Sequence, residues 1–206
     1  IINKSLSHFI GYSFKFIFKG KASHGASPEK GVNAITKAAK FIEEVNRSSN
    51  VLTIKNDPFL GRGSINIGKI SGGTKVNIVP DYCEVAVDRR LTYGETIPYA
   101  ITQFKQILRK LKLNAKIETS KEMLADPRLA VKIPKDSKIV RILQSISNLK
   151  IGKMSGYTEM ELYYRKLGIQ CVALGASNDT AHSDNEYVKI SDIKRCKYIF
   201  ENLIKK

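Results

Sequence analysis

Two of the three histidines in this chain stand where a side chain could do chemistry. His24 lies in a glycine-flanked stretch, Gly20-Lys-Ala-Ser-His-Gly-Ala-Ser-Pro-Glu-Lys-Gly-Val-Asn-Ala34. Ser27-Pro28-Glu29 reads as a helix start: Ser27 can cap, Pro28 loses no needed N–H, and Glu29 suits the positive end of the dipole. His24 is therefore expected just ahead of free helix N–H groups, a place suited to an anion or a developing negative charge. The same spacing also fits a solvent-facing loop histidine. His182 lies in the polar loop Gly175-Ala-Ser-Asn-Asp-Thr-Ala-His-Ser-Asp-Asn-Glu186, after a nearly all-apolar run at residues 169–174. A loop leaving the C-terminal end of a buried strand is where open α/β sheets place ligands.

The elements that must hold these residues follow from periodicity. Phe14, Phe16 and Phe18 alternate with polar neighbours as in a half-buried strand. Val32, Ile35, Ala39, Ile42 and Val45 form one stripe of a helix expected at about residues 28–47. Residues 64–70 alternate as a strand, and Ser71-Gly-Gly-Thr74 is a turn. A strand is expected over residues 78–91, with Cys83, Val85 and Val87 on one face and Glu84, Asp88 and Arg90 on the other. A second helix carries Pro98 in its first turn and the stripe Ala100, Ile101, Phe104, Ile107, Leu108 and Leu111. A short strand near residues 115–118 ends the unit. Strand, helix, strand, strand, helix, strand is the ferredoxin-like split arrangement, an antiparallel sheet with two helices on one face.

Beyond Pro127 and Pro134 the pattern changes to alternating helix and strand, as at the end of an α/β domain. Asp136 or Ser137 can cap a helix bearing Ile139, Val140, Leu143 and Ile146. Thr158-Glu-Met-Glu161 reads as a capping box, and Gly168 is placed to end that helix. A final helix is expected from about Ser191.

At 206 residues there is length for one large or two small domains. With 35 basic and 19 acidic residues the net charge is +16, which invites a nucleic-acid reading. The lysines are scattered, however, and no basic run interleaves with aromatics, so a solvated lysine-rich surface is expected and no nucleic-acid partner. No apolar run is long enough to span a bilayer, and no segment has a signal-peptide layout, so no membrane partner is expected. Cys83, Cys171 and Cys196 read as reduced, buried thiols of a cytoplasmic protein.

The strand followed by Gly-Lys-Ala-Ser-His-Gly-Ala-x-Pro-x-x-Gly-x-Asn-Ala resembles the lid signature of the di-zinc deacylase and peptidase superfamily. That group includes acetylornithine deacetylase, succinyl-diaminopimelate desuccinylase, aminoacylase and glutamate carboxypeptidase. The resemblance runs from about residue 11 to the C-terminus. It implies an α/β protein with an α+β lid: residues 1–10 an unmatched tail, 11–120 a ferredoxin-like βαββαβ lid that dimerises, and 121–206 the C-terminal part of an α/β zinc-hydrolase catalytic domain. By the resemblance, His24 is a catalytic residue that donates to the tetrahedral oxyanion, in trans across a homodimer. Asn77, opening Asn-Ile-Val-Pro80, and Arg90 are implied as substrate-binding residues of the desuccinylase branch. A guanidinium can grip a carboxylate through two parallel hydrogen bonds; the alternative is a surface arginine on the Asp88–Arg90 strand face. Gly156 and Thr158 resemble a substrate loop, with Tyr157 and Glu159 departing from its commonest residues. Asn178 again resembles the desuccinylase branch. Ala-His-x-x-Asn-Glu resembles the last metal motif, with His182 as a zinc ligand and Glu186 a candidate to fix its tautomer.

The family site holds two zinc ions through a His-x-Asp, a bridging aspartate and an adjacent glutamate pair, all from a segment preceding the lid. This sequence contains no such segment, so a fragment is expected, inactive alone and a weak zinc binder. Glu43-Glu44 are read as a solvated helix face, and His182-Ser-Asp184 as part of the C-terminal motif. The expected function is that of a metal-dependent amidohydrolase fragment, cleaving an N-acyl amino acid or dipeptide with zinc-activated water. The alternative is a non-catalytic oligomerisation or regulatory module derived from this fold.

Overall fold

A computed structural model describes residues 2–8 (backbone only), 10–154, 157–176, 180 and 183–206. The chain forms two compact units, Ile10–Leu129, and Ile1–Phe9 with Ala130–Lys206. It begins with β1 (Ile2–His8) and enters the first unit with β2 (Ile10–Lys19). There follow α1 (Ala34–Arg47), a short α2 (Ser49–Leu52) and two-residue strands β3 (Asn56–Asp57) and β4 (Gly61–Arg62). Strands β5 (Ser64–Gly72) and β6 (Tyr82–Leu91), helix α3 (Ile97–Lys110), strand β7 (Ala115–Glu118) and helix α4 (Lys121–Ala125) complete the unit.

Alternation in β2 sends Tyr12, Phe14, Phe16 and Phe18 into full burial, and β6 does the same with Cys83, Val85 and Val87. β2 and β6 pair antiparallel from Ile10↔Leu91 to Lys19↔Tyr82, with β7 beyond β2 and β5 beyond β6. The sheet order is β5-β6-β2-β7, the split arrangement expected from the sequence. One face is covered by the helices: the Phe16 ring lies 4.5 Å from Phe41 of α1 and 4.9 Å from Phe104 of α3. Edge-to-face and tilted packing of this kind adds to plain area burial.

Two features of this unit depart from expectation, and a third, a buried ion pair, is added by the fold. Residues 28–30 form a single 3₁₀ turn, and α1 starts only at Ala34, where the Asn33 side chain accepts from the Thr36 N–H at 3.0 Å. Ser27 makes no capping bond; the backbone at residues 31–33 is extended and bridges to Lys21, so the turn cannot run on into helix. Glu44 is not solvated. It is 2% exposed and accepts from Lys110 of α3 at 2.8 Å, from Ser48 at 2.8 Å and from Arg47. Hydrogen bonds from Lys110, then Arg47 and Ser48, lower its pKa to about 2. Arg89 is fully buried on the helix-covered face, where Nη2 meets Glu95 Oε1 at 3.0 Å and the Leu52 carbonyl at 2.7 Å. Burial lowers the Arg89 pKa, and the Glu95 carboxylate opposes that shift.

The second unit continues through β8 (Val131–Lys132), α5 (Lys138–Ile146), β9 (Lys150–Met154), α6 (Met160–Leu167), β10 (Ala173–Ala176) and α7 (Ile190–Ile204). β1 lies inside its sheet, antiparallel to β10 and β8 and parallel to β9. The first residues are therefore a structural strand and not the unmatched tail expected. The units also divide at 9/10 and 129/130, not at 10/11 and 120/121. Residues 119–128 stay with the first sheet, because Thr119 donates to the Ser13 carbonyl and Tyr12 to that of Arg128. The Thr158 capping box does not form: α6 begins at Met160, with no side-chain cap bond. Gly168 ends it as expected, at φ 66°, with its N–H on Tyr164 and that of Ile169 on Tyr163. Residues 169–172 are spent on this exit, so the following strand begins at Ala173 and is only half-buried. Of the three cysteines expected to be buried, only Cys83 is fully so; Cys171 and Cys196 are partly exposed. Among the described residues no helix is long and apolar enough to cross a membrane.

Candidate active site

The His24 turn is sewn to the segment before β6. His24 and Ile78 form an isolated antiparallel bridge, the Gly25 N–H donates to the Asn77 carbonyl at 2.8 Å, and the Val79 N–H donates to Ser23 at 2.9 Å. Pro80 and Asp81 accept from Ala34 and Gly20. Residues 78–81 thus spend their backbone on the His24 loop, and β6 begins at Tyr82 instead of residue 78. Gly25 is required by close approach: a Cβ there would sit 3.0 Å from the Asn77 carbonyl. The fold therefore brings His24 and Asn77 together, as neighbours on one exposed edge.

His24 is exposed and does not stand at a helix N-terminus, since α1 starts ten residues later. Its charge-handling capacity comes from a local bond instead. The Ala26 N–H donates to His24 Nδ1 at 3.1 Å. A neutral ring with Nδ1 as acceptor carries its proton on Nε2, so the outer nitrogen is a hydrogen-bond donor. Beside the loop lies an open depression of about 600 Å³ bordered by Ile35, Val76 and Ile78, all exposed apolar residues.

Arg90 occupies the other end of the sheet. It pairs with Gly11 on β2 and Ser64 on β5, whereas the β6 end nearest His24 is Tyr82. Eight residues of strand separate Tyr82 from Arg90, roughly 26 Å at about 3.3 Å each. One protomer therefore does not bring Arg90 to His24 and Asn77. The Arg90 Nε donates to Asp88 Oδ2 at 2.7 Å, both side chains being 37% exposed. The guanidinium lies across Gly11, where a Cβ would fall 2.9 Å from Cζ. Gly11 was not singled out by sequence reasoning; only the register, which places it opposite Arg90, reveals it.

Thr158 is in the second unit, with Oγ1 shielded from solvent and without a hydrogen-bond partner among the described residues. Gly156, Asn178 and His182 lie outside the described residues. Among the described residues no group of three or more His, Cys, Asp or Glu could hold a metal ion.

A family profile for the M20 peptidase dimerisation domain matches residues 6–116. Acetylornithine deacetylase of Myxococcus xanthus is 26% identical over 196 residues, covering 90% of this chain and 50% of that enzyme. Succinyl-diaminopimelate desuccinylase of Aliarcobacter butzleri is 25% identical over 189 residues, covering 91% and 50%. The chain thus spans about half the length of the curated relatives it matches. Among solved structures, a tripeptidase from Staphylococcus aureus superposes with a TM-score of 0.76 at 22% identity, over 98% of this chain and 53% of that one. An M20 family metallo-carboxypeptidase from Sulfolobus solfataricus gives 0.72 at 18% identity, over 99% and 60%. These likenesses establish the fold.

Proposed function

Because the chain belongs to the M20 peptidase dimerisation-domain family, we propose that it is part of a metal-dependent amidohydrolase acting on an N-acyl amino acid or a dipeptide. The observation that carries the reading is the placement of the two groups of lid residues at opposite ends of one sheet. A small substrate cannot touch both ends in one protomer. A two-fold dimer can set His24 and Asn77 of one copy beside Arg90 of the other. The exposed Ile35, Val76 and Ile78 beside the His24 loop supply apolar area for such a contact.

In this arrangement Arg90 holds the substrate carboxylate, and Asn77 orients the substrate beside it. The His24 Nε2–H then donates to the oxygen that becomes negative as the amide carbonyl turns tetrahedral. Nδ1 is already occupied by the Ala26 N–H, so the ring need not reorganise to donate. Zinc, which the resemblance implies, would supply an activated water when bound. It finds no ligand cluster among the described residues, and His182 is the candidate this chain offers. What the lid residues themselves contribute is orientation and charge stabilisation.

Mixing tests the shared site. His24→Ala and Arg90→Ala chains should each fail to bind N-acetylglycine in the manner of the unaltered chain. A one-to-one mixture that exchanges protomers should recover about a quarter of the sites, all in mixed dimers. A strict monomer by sedimentation, or mixtures no better than the parents, removes the reading.

A further inference from the structure

We propose that Asp88 and Gly11 form a seat that fixes the Arg90 guanidinium on the open face of the lid sheet, its end-on Nη1/Nη2 edge presented to a ligand carboxylate. The inference rests on the reading of Arg90 as a carboxylate-holding residue and names the groups that position it. A guanidinium offers a carboxylate two edges with parallel donors, Nε with Nη2 and Nη1 with Nη2. Asp88 Oδ2 takes Nε at 2.7 Å, which leaves the end-on edge for a ligand. Asp88 and Arg90 are two residues apart on β6 and so project from the same face.

Gly11 supplies the floor. It is the β2 partner of Arg90, and a Cβ there would lie 2.9 Å from Cζ, 3.0 Å from Nη1 and 3.1 Å from Nε. The guanidinium fills the space that a side chain would take. Any residue with a Cβ there requires the guanidinium, at the end of its flexible side chain, to shift from this position beside Asp88. An ordinary partly exposed ion pair contributes little to stability and has no need of a glycine beneath it. Here the bond and the glycine constrain the same planar group, one from its side and one from below. An arginine otherwise loses considerable rotamer freedom on meeting a ligand, and a seat removes that cost beforehand. Asp88 and Gly11 are positioning residues; neither is expected to touch the ligand.

The test is an NMR titration of the ¹⁵N-labelled full chain with N-acetylglycine, followed at the arginine side-chain N–H signals, with thermal unfolding measured alongside. Asp88→Ala should weaken binding about five- to tenfold, the scale of one ordinary hydrogen bond. Asp88→Asn keeps an acceptor for Nε and should recover most of that loss. Gly11→Ala should weaken binding as much as Asp88→Ala, and the double variant little more. Unfolding temperatures should stay close to that of the unaltered chain. Tighter binding by Asp88→Ala would mean that Asp88 competes with the ligand, which overturns the seat. Equal losses in Asp88→Asn and Asp88→Ala would reduce Asp88 to its charge and overturn it too. Arg90→Lys separates the two readings. If it weakens binding while the Asp88 and Gly11 variants do not, only the seat fails. If Arg90→Lys changes nothing, or the unaltered chain shows no response at Arg90, the carboxylate-holding role fails and the seat with it.

Discussion

The two units of this chain bury their apolar residues very differently. Of the buried apolar side chains described, all but Ala130, Val131, Ile133, Val140, Leu143, Leu149, Met160 and Ile199 belong to residues 10–129. There, five phenylalanine rings from β2, α1 and α3 interlock. In the second unit Leu143, Leu149 and Ile199 form a small cluster flanked by partly buried neighbours. Leu162, Leu167, Ile190 and Ile204 of its helices are exposed. Burial of apolar area is the main favourable term in folding, so the lid should be stable in its own right and the second unit much less so. The lid also carries His24 and Asn77, in loops sewn together beside the sheet, and Arg90 on β6.

The largest test of this contrast is removal of residues 1–9. That deletes β1, which pairs with three strands of the second sheet. Amide exchange should then become fast in β8, β9 and β10 while β2 and β6 stay protected. Protection kept in all strands, or lost in all, would break the contrast.

Arg89→Met should cost about 3–5 kcal/mol, because it strands the buried Glu95 carboxylate without its partner. Replacing Glu95 with Leu in the same chain should restore much of the loss, as read by urea unfolding. A single variant within 1 kcal/mol of the parent, on the order of ordinary surface changes, would show that water reaches Glu95.

Core truncations compare the units directly. Phe16→Ala should destabilise the lid by about 3–5 kcal/mol, since Phe41 and Phe104 hold the cavity open. Leu143→Ala should cost about 2 kcal/mol, at the low end for such a change, because its half-buried neighbours can collapse inward. Equal costs would erase the difference in packing.

The smallest effect concerns acid. The folded pKa of Glu44 is lowered to about 2, so its contribution is fully present above the ordinary carboxylate value of 4.5 and is lost as pH falls toward 2. Lid stability should decline over that window, and Glu44→Gln should flatten the decline. Its partners Lys110 and Arg47 are mostly exposed, so salt should weaken the effect. An unchanged acid profile in Glu44→Gln would assign the decline to other carboxylates.

Much of the lid was legible in the residues because its periodic signals are local. Three alternating phenylalanines and two amphipathic stripes suffice to place two helices on one sheet face, and Asn77 and His24 were marked by the company they keep. Less was legible where the answer depends on distant chain. β1 reads Ile-Asn-Lys-Ser-Leu-Ser-His, too polar to declare itself, and becomes a strand only because β8, β9 and β10 flank it. Pro28 suits a helix start, yet the bridge from Val32 to Lys21 holds the chain extended and moves the start to Ala34, capped by Asn33.

The sequence by itself determined the βαββαβ order of the main lid elements, the buried faces of β2 and β6 and the family to which the lid belongs. Side-chain periodicity and short motifs survive whatever the rest of the chain does. Tertiary structure decided which polar groups became partners: Glu44 with Lys110, Arg89 with Glu95, and Arg90 lying over Gly11. Such pairings depend on strand register and helix docking, which bring together residues up to 79 positions apart, as Gly11 and Arg90 are in β2 and β6. No local pattern in the chain encodes that distance; only the hydrogen-bonded sheet does.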